Sequence, residues 1–178
     1  MSHNDEKFSL YDDSSYGDDV MTPSYDSDYT DSDTNTECAT EILSMGRSQL
    51  PEHDKIFMIV ERISRRAISI SHGLLTLEYA RQENVACHWL CVDKGGWLGF
   101  QNQVTAKYIS RDRACTLEAS AKHHQSWEYM HFRPTPNGYH KLLVPYGSEL
   151  REVKFGDDLR SLVGGSCGEG MEFAFFQV

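Results

Sequence analysis

The sequence has no excess of basic residues anywhere, which argues against a nucleic-acid-binding protein. Of its 27 acidic and 17 basic residues, 12 acidic and 2 basic lie in residues 1–50, and residues 51–178 hold 15 of each sign. Proteins that bind DNA or RNA need a basic surface to neutralise phosphates. We therefore expect neither DNA nor RNA among the partners of this chain.

Long hydrophobic runs are also missing. No stretch approaches the roughly 18 apolar residues of a membrane-spanning helix, and the first residues lack the basic start and apolar core of a signal peptide. The cysteines lack the spacing of a disulfide framework, which is typical of free, mostly buried thiols in a reducing compartment. There are five of them: Cys38, Cys87, Cys91, Cys115 and Cys167. We expect no membrane contact and a cytoplasmic location, with the nucleus as an alternative.

Residues 1–36 contain almost no aliphatic side chains and are dominated by Asp, Ser, Tyr and Thr. Such a segment cannot bury enough apolar area to offset its chain entropy, and its like charges repel. The sequence therefore predicts a disordered acidic tail over residues 1–50. A short helix over residues 37–45, stopped at Gly46, is compatible with the pattern. The folded domain is expected over residues 54–178.

From residue 56 onward, short runs alternate apolar and polar residues between turn residues. Three aromatic-rich runs, 88–92, 127–132 and 171–176, recur at a spacing near 41 residues. Four short strands per repeat and no long helical pattern predict an all-β fold, a β-trefoil of twelve strands in three pseudo-repeats. The predicted strands are 56–61, 67–71, 74–78, 88–92, 97–102, 107–110, 116–119, 127–132, 139–144, 149–153, 159–163 and 171–176.

Large apolar side chains at a spacing of two are mostly packing residues. We expect Trp89, Trp127 and Met171 to be equivalent core residues, one in each repeat. Strand alternation then places Tyr129 inward with Trp127, and it places Met130 on the opposite face. Phe173 completes the predicted structural core.

Residues 96–102 and 107–110, together with Trp127-Glu128-Tyr129, resemble the repeat of fascin-like (actin-cross-linking-like) β-trefoils. Residues 96–100 and 123–129 are also similar to segments of uncharacterised fungal proteins. The resemblance implies a single β-trefoil over about the last 120 residues, with Ala106 where the family's repeat has glycine. It makes actin a candidate partner, although cross-linking needs several trefoils and this chain has one.

Two groups of residues are candidates for binding. His123 and His124 lie next to each other in a predicted loop. Arg62, Arg65 and Arg66 cluster in the first hairpin, where an acidic segment such as the N-terminal tail is a natural electrostatic partner.

One motif favours a lectin. Gln125-Ser126-Trp127 matches the Gln-x-Trp motif of ricin-type lectin trefoils, but in only one of the three repeats. A sugar site would need an aromatic platform with polar groups around it.

The residues give no support for a metal or a catalytic centre. On a strand, Cys87 and Cys91 would share one face and His88 the other, which is poor geometry for zinc. Phosphate loops, nucleophile elbows and His-Glu-x-x-His motifs are missing from the sequence. We expect no cofactor, no bound metal and no catalytic residue.

The function predicted from the sequence is a non-enzymatic, intracellular binding module, because the loops of a rigid β scaffold are where binding usually occurs. Its partner would be an unidentified protein or glycan. One alternative is a lectin-like or protease-inhibiting trefoil. Another is a small enzyme or biosynthetic accessory protein with a pocket on the trefoil.

Overall fold

A computed structural model describes residues 47–178, and within them twelve strands belong to one antiparallel sheet. Residues 1–46 of the predicted 1–50 tail, the 37–45 helix and Cys38 lie outside the described residues. None of the helices in the described part is long and apolar enough to cross a membrane. The strands are β1 Ile56–Glu61, β2 Arg66–Ser71, β3 Leu74–Tyr79, β4 Trp89–Lys94, β5 Trp97–Asn102, β6 Tyr108–Arg111, β7 Thr116–Ala121, β8 His131–Pro134, β9 His140–Tyr146, β10 Glu149–Phe155, β11 Leu162–Gly165 and β12 Glu172–Gln177.

Six of these strands close into a barrel. β1 pairs with both β12 and β4, β4 pairs with β5, and β9 pairs with both β8 and β12. A bridge between Leu98 and Met130 joins β5 to the start of β8 and completes the ring. Closure leaves no unpaired edge in the wall.

The other six strands form three hairpins, β2–β3, β6–β7 and β10–β11, and β7 also pairs with β11. Each repeat of four strands thus gives two strands to the barrel and two to a hairpin. This arrangement is the β-trefoil, and the predicted fold class is confirmed.

Equivalent cross-strand pairs show the three-fold relation directly. The pairs are Cys91 with Phe100, Phe132 with Leu142, and Phe175 with Ile59. Positions 91, 132 and 175 are 41 and 43 residues apart, so the predicted repeat length is confirmed. Two residues before each of them stand Trp89, Met130 and Phe173, which are at most 1% exposed. The predicted equivalence of Trp89, Trp127 and Met171 is therefore wrong in the second and third repeats.

The barrel interior is filled by large side chains, with Trp89 at 0% exposure. Its indole N–H donates to the Ile68 carbonyl at 2.7 Å, which satisfies the one polar atom of this buried ring. A separate apolar cluster covers the outer face of the first repeat, where Met58 packs with Cys87 and Phe176. The strands of the first repeat are thus packed against apolar side chains on both their inner and their outer face.

The turns after β1 and β5 are built alike. The Glu61 carboxylate accepts backbone N–H groups from Ile63 at 2.8 Å and Ser64 at 2.6 Å, and the Asn102 side chain serves the equivalent turn in the same way. Ala106 ends its turn at φ 52°, in the left-handed region that favours glycine. A glycine would adopt this conformation without the strain that the Ala106 Cβ causes.

Trp127 and Tyr129 correct the predicted core. The expected strand 127–132 begins only at His131, because a turn precedes it: the Glu128 carboxylate accepts the Gln125 N–H at 2.8 Å. Trp127 is 42% exposed, and Tyr129 is half-buried on the outside of the barrel. Met130 faces the interior instead, so the alternation has the opposite phase to the predicted one.

The remaining predicted core residues divide as follows. Trp89 and Phe173 are fully buried, as predicted. Met171 is half-buried and packs against the interior cluster from outside it.

Three of the described cysteines, Cys87, Cys91 and Cys115, are buried free thiols, as the sequence predicts, whereas Cys167 is exposed. Burial raises the pKa of Cys91 to about 12. Cys87 ends a 3₁₀ turn, Val85–Cys87, and packs outside the barrel, while Cys91 lies inside it. Strand alternation does not apply across that turn, so the expected shared face of Cys87 and Cys91 is wrong. Residues 47–178 contain no group of three His, Cys, Asp or Glu side chains arranged to hold a metal.

Candidate binding site on the outer face of the second repeat

The outer face of the second repeat carries a continuous row of rings, the aromatic strip, formed by Trp97, His131, Tyr129, His124 and Tyr108. Trp97 stacks on Tyr129 with centroids 5.0 Å apart and planes 15° apart, and it also contacts His131 at 4.3 Å. His124 continues the row, 5.2 Å from Tyr129 and stacked 5.6 Å from Tyr108.

The position of the strip follows from strand geometry. Leu98 pairs with Met130, and the Met130 side chain is buried inside the barrel. Neighbours in a strand point to opposite faces, so Trp97, Tyr129 and His131 point outward together. The stack is thus a cross-strand contact of the kind that stabilises sheets.

Gly99 makes room for the centre of the strip. A Cβ atom at this position would lie 2.6 Å from both Cδ2 and Nε2 of His124, a distance that real contacts do not show. Glycine inside a strand often marks such a close approach. The imidazole therefore lies on the backbone of β5, where any other residue would place a side chain.

Two hydrogen bonds stabilise the loop that carries His124. The Lys94 ammonium group donates to the His124 carbonyl oxygen at 3.2 Å. Glu128 is 6% exposed, and its carboxylate accepts the Gln125 N–H. The first contact joins the loop to β4, and the second stabilises the turn within residues 125–128.

His124 is 8% exposed, and neither of its ring nitrogens has a hydrogen-bond partner among the described residues. Burial lowers its pKa from the ordinary histidine value, because a charged imidazole loses its hydration there; the Leu98 backbone and the Glu128 carboxylate act in the opposite direction. The neutral ring is the form that fits this site.

Trp97, Tyr129 and His131 are the accessible part of the strip, and we call these three residues the shelf. Each is half-buried, so each side chain keeps part of its surface in contact with solvent. The sequence reasoning did not single out Trp97. The isolated glycine two residues later, in a strand otherwise rich in large residues, was the available signal.

The two predicted histidines have different environments. His123 is exposed in the loop, as expected. His124 was predicted as a binding residue in a loop, and it is buried, because Gly99 leaves space for its ring. The structure brings His124 together with Tyr129, which was predicted as a core residue.

The three predicted arginines do not converge on one site. Arg62 forms an ion pair with Glu172 at 2.6 Å and lies over the Tyr139 ring at 5.1 Å. Arg66 lies over the ring of Tyr79 at 5.1 Å. Arg65 is exposed in the turn at φ 58°.

A second accessible surface is an arginine–aromatic ladder, formed by Trp127, Arg111, Tyr146 and Arg151. The Arg111 guanidinium lies 5.2 Å from the centre of the Trp127 ring and 5.4 Å from that of Tyr146. The Arg151 guanidinium also lies over the Tyr146 ring, 4.0 Å from its centre. Arg111 also donates to the Pro145 carbonyl oxygen, which fixes its side chain. The Gln-x-Trp motif thus places its Trp127 in this ladder and not in the core.

In the third repeat, an ionic cluster occupies the outer face. Glu152 is 1% exposed, and its carboxylate accepts the N–H groups of Gly168 at 3.1 Å and Gly170 at 2.9 Å. It also pairs with Arg133 and with Lys141. Burial alone would raise the pKa of Glu152, but these N–H groups and cations together hold it below the ordinary value. All of its partners belong to the fold, so we regard the cluster as structural.

A groove of about 560 Å³ lies between the hairpins β2–β3, β6–β7 and β10–β11. Leu75, Leu117 and Ala119 contribute apolar surface to it, and Asp158 and Arg160 contribute charges. Asp158 accepts the N–H groups of Arg160 and Ser161 and so stabilises its own loop. The groove is the described feature that the enzyme or accessory-protein alternative would use.

Comparison with known proteins places the fold but no family. No protein-family model matches the chain, and no curated protein matches it. A designed three-fold symmetric protein, ThreeFoil, is similar in structure, with a TM-score of 0.57 and 13% identity over 69% of this chain and 99% of that one. The BEL β-trefoil, in an apo crystal form, has a TM-score of 0.59 and 12% identity over 73% of this chain and 97% of that one.

A further similar structure is the GlcNAcα1-4Gal-releasing endo-β-galactosidase from Clostridium perfringens, with a TM-score of 0.60 and 12% identity. The match covers 70% of this chain and 32% of that one, so the chain spans about a third of the enzyme. At these identities the likeness shows the fold alone. The chain is a β-trefoil protein.

Proposed function

We propose that this chain is an intracellular, non-enzymatic binding module whose ligand is a glycan held on the shelf. The observation that carries the proposal is the cluster of Trp97, stacked on Tyr129, and His131, tilted at 55° to Trp97, on the outside of a closed barrel. A rigid aromatic face with polar edges is the platform that a sugar ring needs, because the ring has an apolar face and hydroxyl groups around its rim.

Two features support a ligand that has both an apolar face and hydrogen-bonding groups. Tyrosine and tryptophan join an apolar ring to one hydrogen-bonding group, and the imidazole of His131 adds another. The contacts of Lys94 and Glu128 order the loop that leads into Tyr129 before any ligand binds, which reduces the entropy lost on binding. Among the structural neighbours, the clostridial enzyme acts on a glycan by its name, which fits the proposed ligand class.

The direct test is a glycan array probed with the full chain and with Trp97→Ala. We expect the wild-type chain to bind a defined set of glycans. Trp97→Ala should bind the same glycans at least tenfold more weakly, since removing a stacked ring costs more than about 1.4 kcal/mol. Trp127→Ala is the matched control, because it removes an exposed indole from the ladder, and it should bind as the wild type does. An array without any retained glycan would contradict the proposal.

A protein partner is the second candidate, and the ladder favours it. Trp127 is 42% exposed, and it is flanked by Arg111 and Tyr146. Tryptophan, tyrosine and arginine are the residues that dominate protein interfaces energetically. In that case Trp127→Ala would abolish the interaction and Trp97→Ala would not, so the same two variants separate the two candidates.

The fascin-like relationship belongs with this second candidate as a proposal about ancestry and partner. The left-handed Ala106, at a position where that repeat pattern has glycine, supports it. Sedimentation with filamentous actin tests the partner. Binding without bundling would fit one trefoil with one site, and absence of co-sedimentation would remove actin as a partner.

A further inference from the structure

His124 is a buried member of the aromatic strip, and it is the one described histidine in which both ring nitrogens are buried without a hydrogen-bond partner. It touches the strip on two sides, through Tyr108 and Tyr129, and the β5 backbone at Gly99 on a third. Tyr129 in turn stacks on Trp97. The position of the shelf therefore depends on whether the imidazole ring stays in its place on Gly99.

We propose that His124 is a positioning residue of the shelf, and that its protonation releases the ring from Gly99 and loosens the stack of Tyr129 on Trp97. The inference rests on the proposed function, because it makes the ligand surface pH-dependent. It adds a regulation of that surface which the shelf residues alone do not provide.

The direction of the pH effect follows from the groups that surround the imidazole ring and from its burial. Tyr108 on β6 and Tyr129 meet the imidazole through ring contacts. The charged groups that face the ring are Asp93 and Lys94 from the β4–β5 hairpin and Glu128 from its own loop. They comprise carboxylates and an ammonium group that oppose each other, while Gly99 on β5 offers no charged group at all.

Burial is therefore the dominant influence on the ring, because a buried imidazolium loses its hydration and the Leu98 backbone offsets only part of that loss. Moving the ring into water restores the hydration of the charged form. Release takes up one proton, so the ratio of released to seated protein grows by up to tenfold for each pH unit below the ordinary histidine pKa of about 6.5. Above that pH the ring stays seated.

The test uses the full chain without ligand, labelled with ¹⁵N at tryptophan and glycine, and observed by NMR between about pH 8 and pH 5. The indole N–H of Trp97 and the amide N–H of Gly99 report the two ends of the coupling. Both signals should shift with the same midpoint as the ring protons of His124. The Trp127 indole signal should not follow that midpoint.

Variants separate His124 from its neighbours. His124→Phe keeps a ring on Gly99 that cannot be protonated, so the Trp97 and Gly99 signals should lose the His124-linked shift. His131 also contacts Trp97, so His131→Gln is needed as a control and should retain the Gly99 response. His123→Gln removes the exposed neighbouring imidazole and should behave as the wild type does.

An unchanged pH response in His124→Phe would overturn the proposal. If that variant does not fold, the wild-type titration still decides: midpoints of Gly99 and Trp97 that differ from that of the His124 ring would also overturn it. Because the experiment needs no ligand, a flat titration counts against the switch alone. A failure to bind glycans counts against the proposed function alone.

Discussion

The imidazole ring of His124 occupies the space above Gly99, where a Cβ atom would lie 2.6 Å from two of its ring atoms. The two residues are 25 positions apart in the sequence and lie in the segments 96–100 and 123–129. Their packing makes one unit of these segments: the glycine in the first receives the histidine of the second.

Gly99→Ala tests this contact. The added methyl group must displace the His124 ring, and we expect a loss of about 1–3 kcal/mol in the free energy of unfolding, the usual cost of overpacking. In a His124→Ala background the same change should cost at least about 1 kcal/mol less, because the ring is no longer there. Urea unfolding of the four proteins measures the cycle, and equal costs in both backgrounds would show that the two residues do not interact.

The two tryptophans Trp89 and Trp127 should respond very differently to truncation. Trp89→Ala removes a fully buried ring and its hydrogen bond to Ile68, so we expect a loss of about 3–5 kcal/mol. Trp127→Ala removes an exposed ring with one cation–π contact, worth about 0.5–1 kcal/mol. Thermal or urea unfolding gives both values, and a loss above about 2 kcal/mol for Trp127 would contradict its position in the ladder.

The N-terminal boundary of the folded domain should lie near residue 47. Gln49 N–H donates to the Phe175 carbonyl oxygen at 2.8 Å, and Phe175 N–H donates to the Ser48 hydroxyl at 3.0 Å. Removing residues 1–46 should leave the stability of the domain nearly unchanged. Removing residues 1–50 deletes both hydrogen bonds and should cost about 1–3 kcal/mol. Identical melting of the two fragments would show that Ser48 and Gln49 contribute nothing.

Glu152 should make the domain sensitive to acid. Its pKa is held below the ordinary glutamate value in the folded state, so its contribution is present above about pH 4.5 and is lost as the pH falls below that value. Glu152→Gln leaves Arg133 and Lys141 without their carboxylate and should cost about 3 kcal/mol at neutral pH.

Glu169→Gln is the matched control for Glu152, because it breaks a solvent-screened pair with Lys154 and should cost much less stability than Glu152→Gln. The acid-induced loss of stability should also be smaller in Glu152→Gln than in the wild type. An acid response that is the same in both would assign it to other carboxylates.

The sequence predicts the barrel well because strand alternation and repeat length are local signals. β1 and β5 have the bounds that the pattern predicts, and the repeat length is correct. The register of the second repeat is not, because Trp127 and Tyr129 alternate like a strand although Glu128 bends the chain into a turn. A side chain-to-backbone hydrogen bond of this kind has no periodic signature in a sequence.

The candidate site was less predictable than the fold. The pairing of Leu98 with Met130 places Trp97 beside Tyr129, and only the three-dimensional register reveals that contact. His124 was selected for its chemistry, and its burial depends on the absence of a side chain at Gly99. The sequence identified the residues of the strip in part, but not the face on which they meet.

The most direct test of the shelf is a ligand titration followed through the indole N–H signals of the three tryptophans. Glycans retained on the array are added to the ¹⁵N-tryptophan-labelled chain, and signals are assigned with Trp97→Phe and Trp127→Phe. The shelf predicts a saturable shift of the Trp97 signal, with Trp127 and the buried Trp89 unchanged. A saturable shift confined to Trp127, or none at any tryptophan while the glycan is bound, would contradict the assignment of the binding site to the shelf.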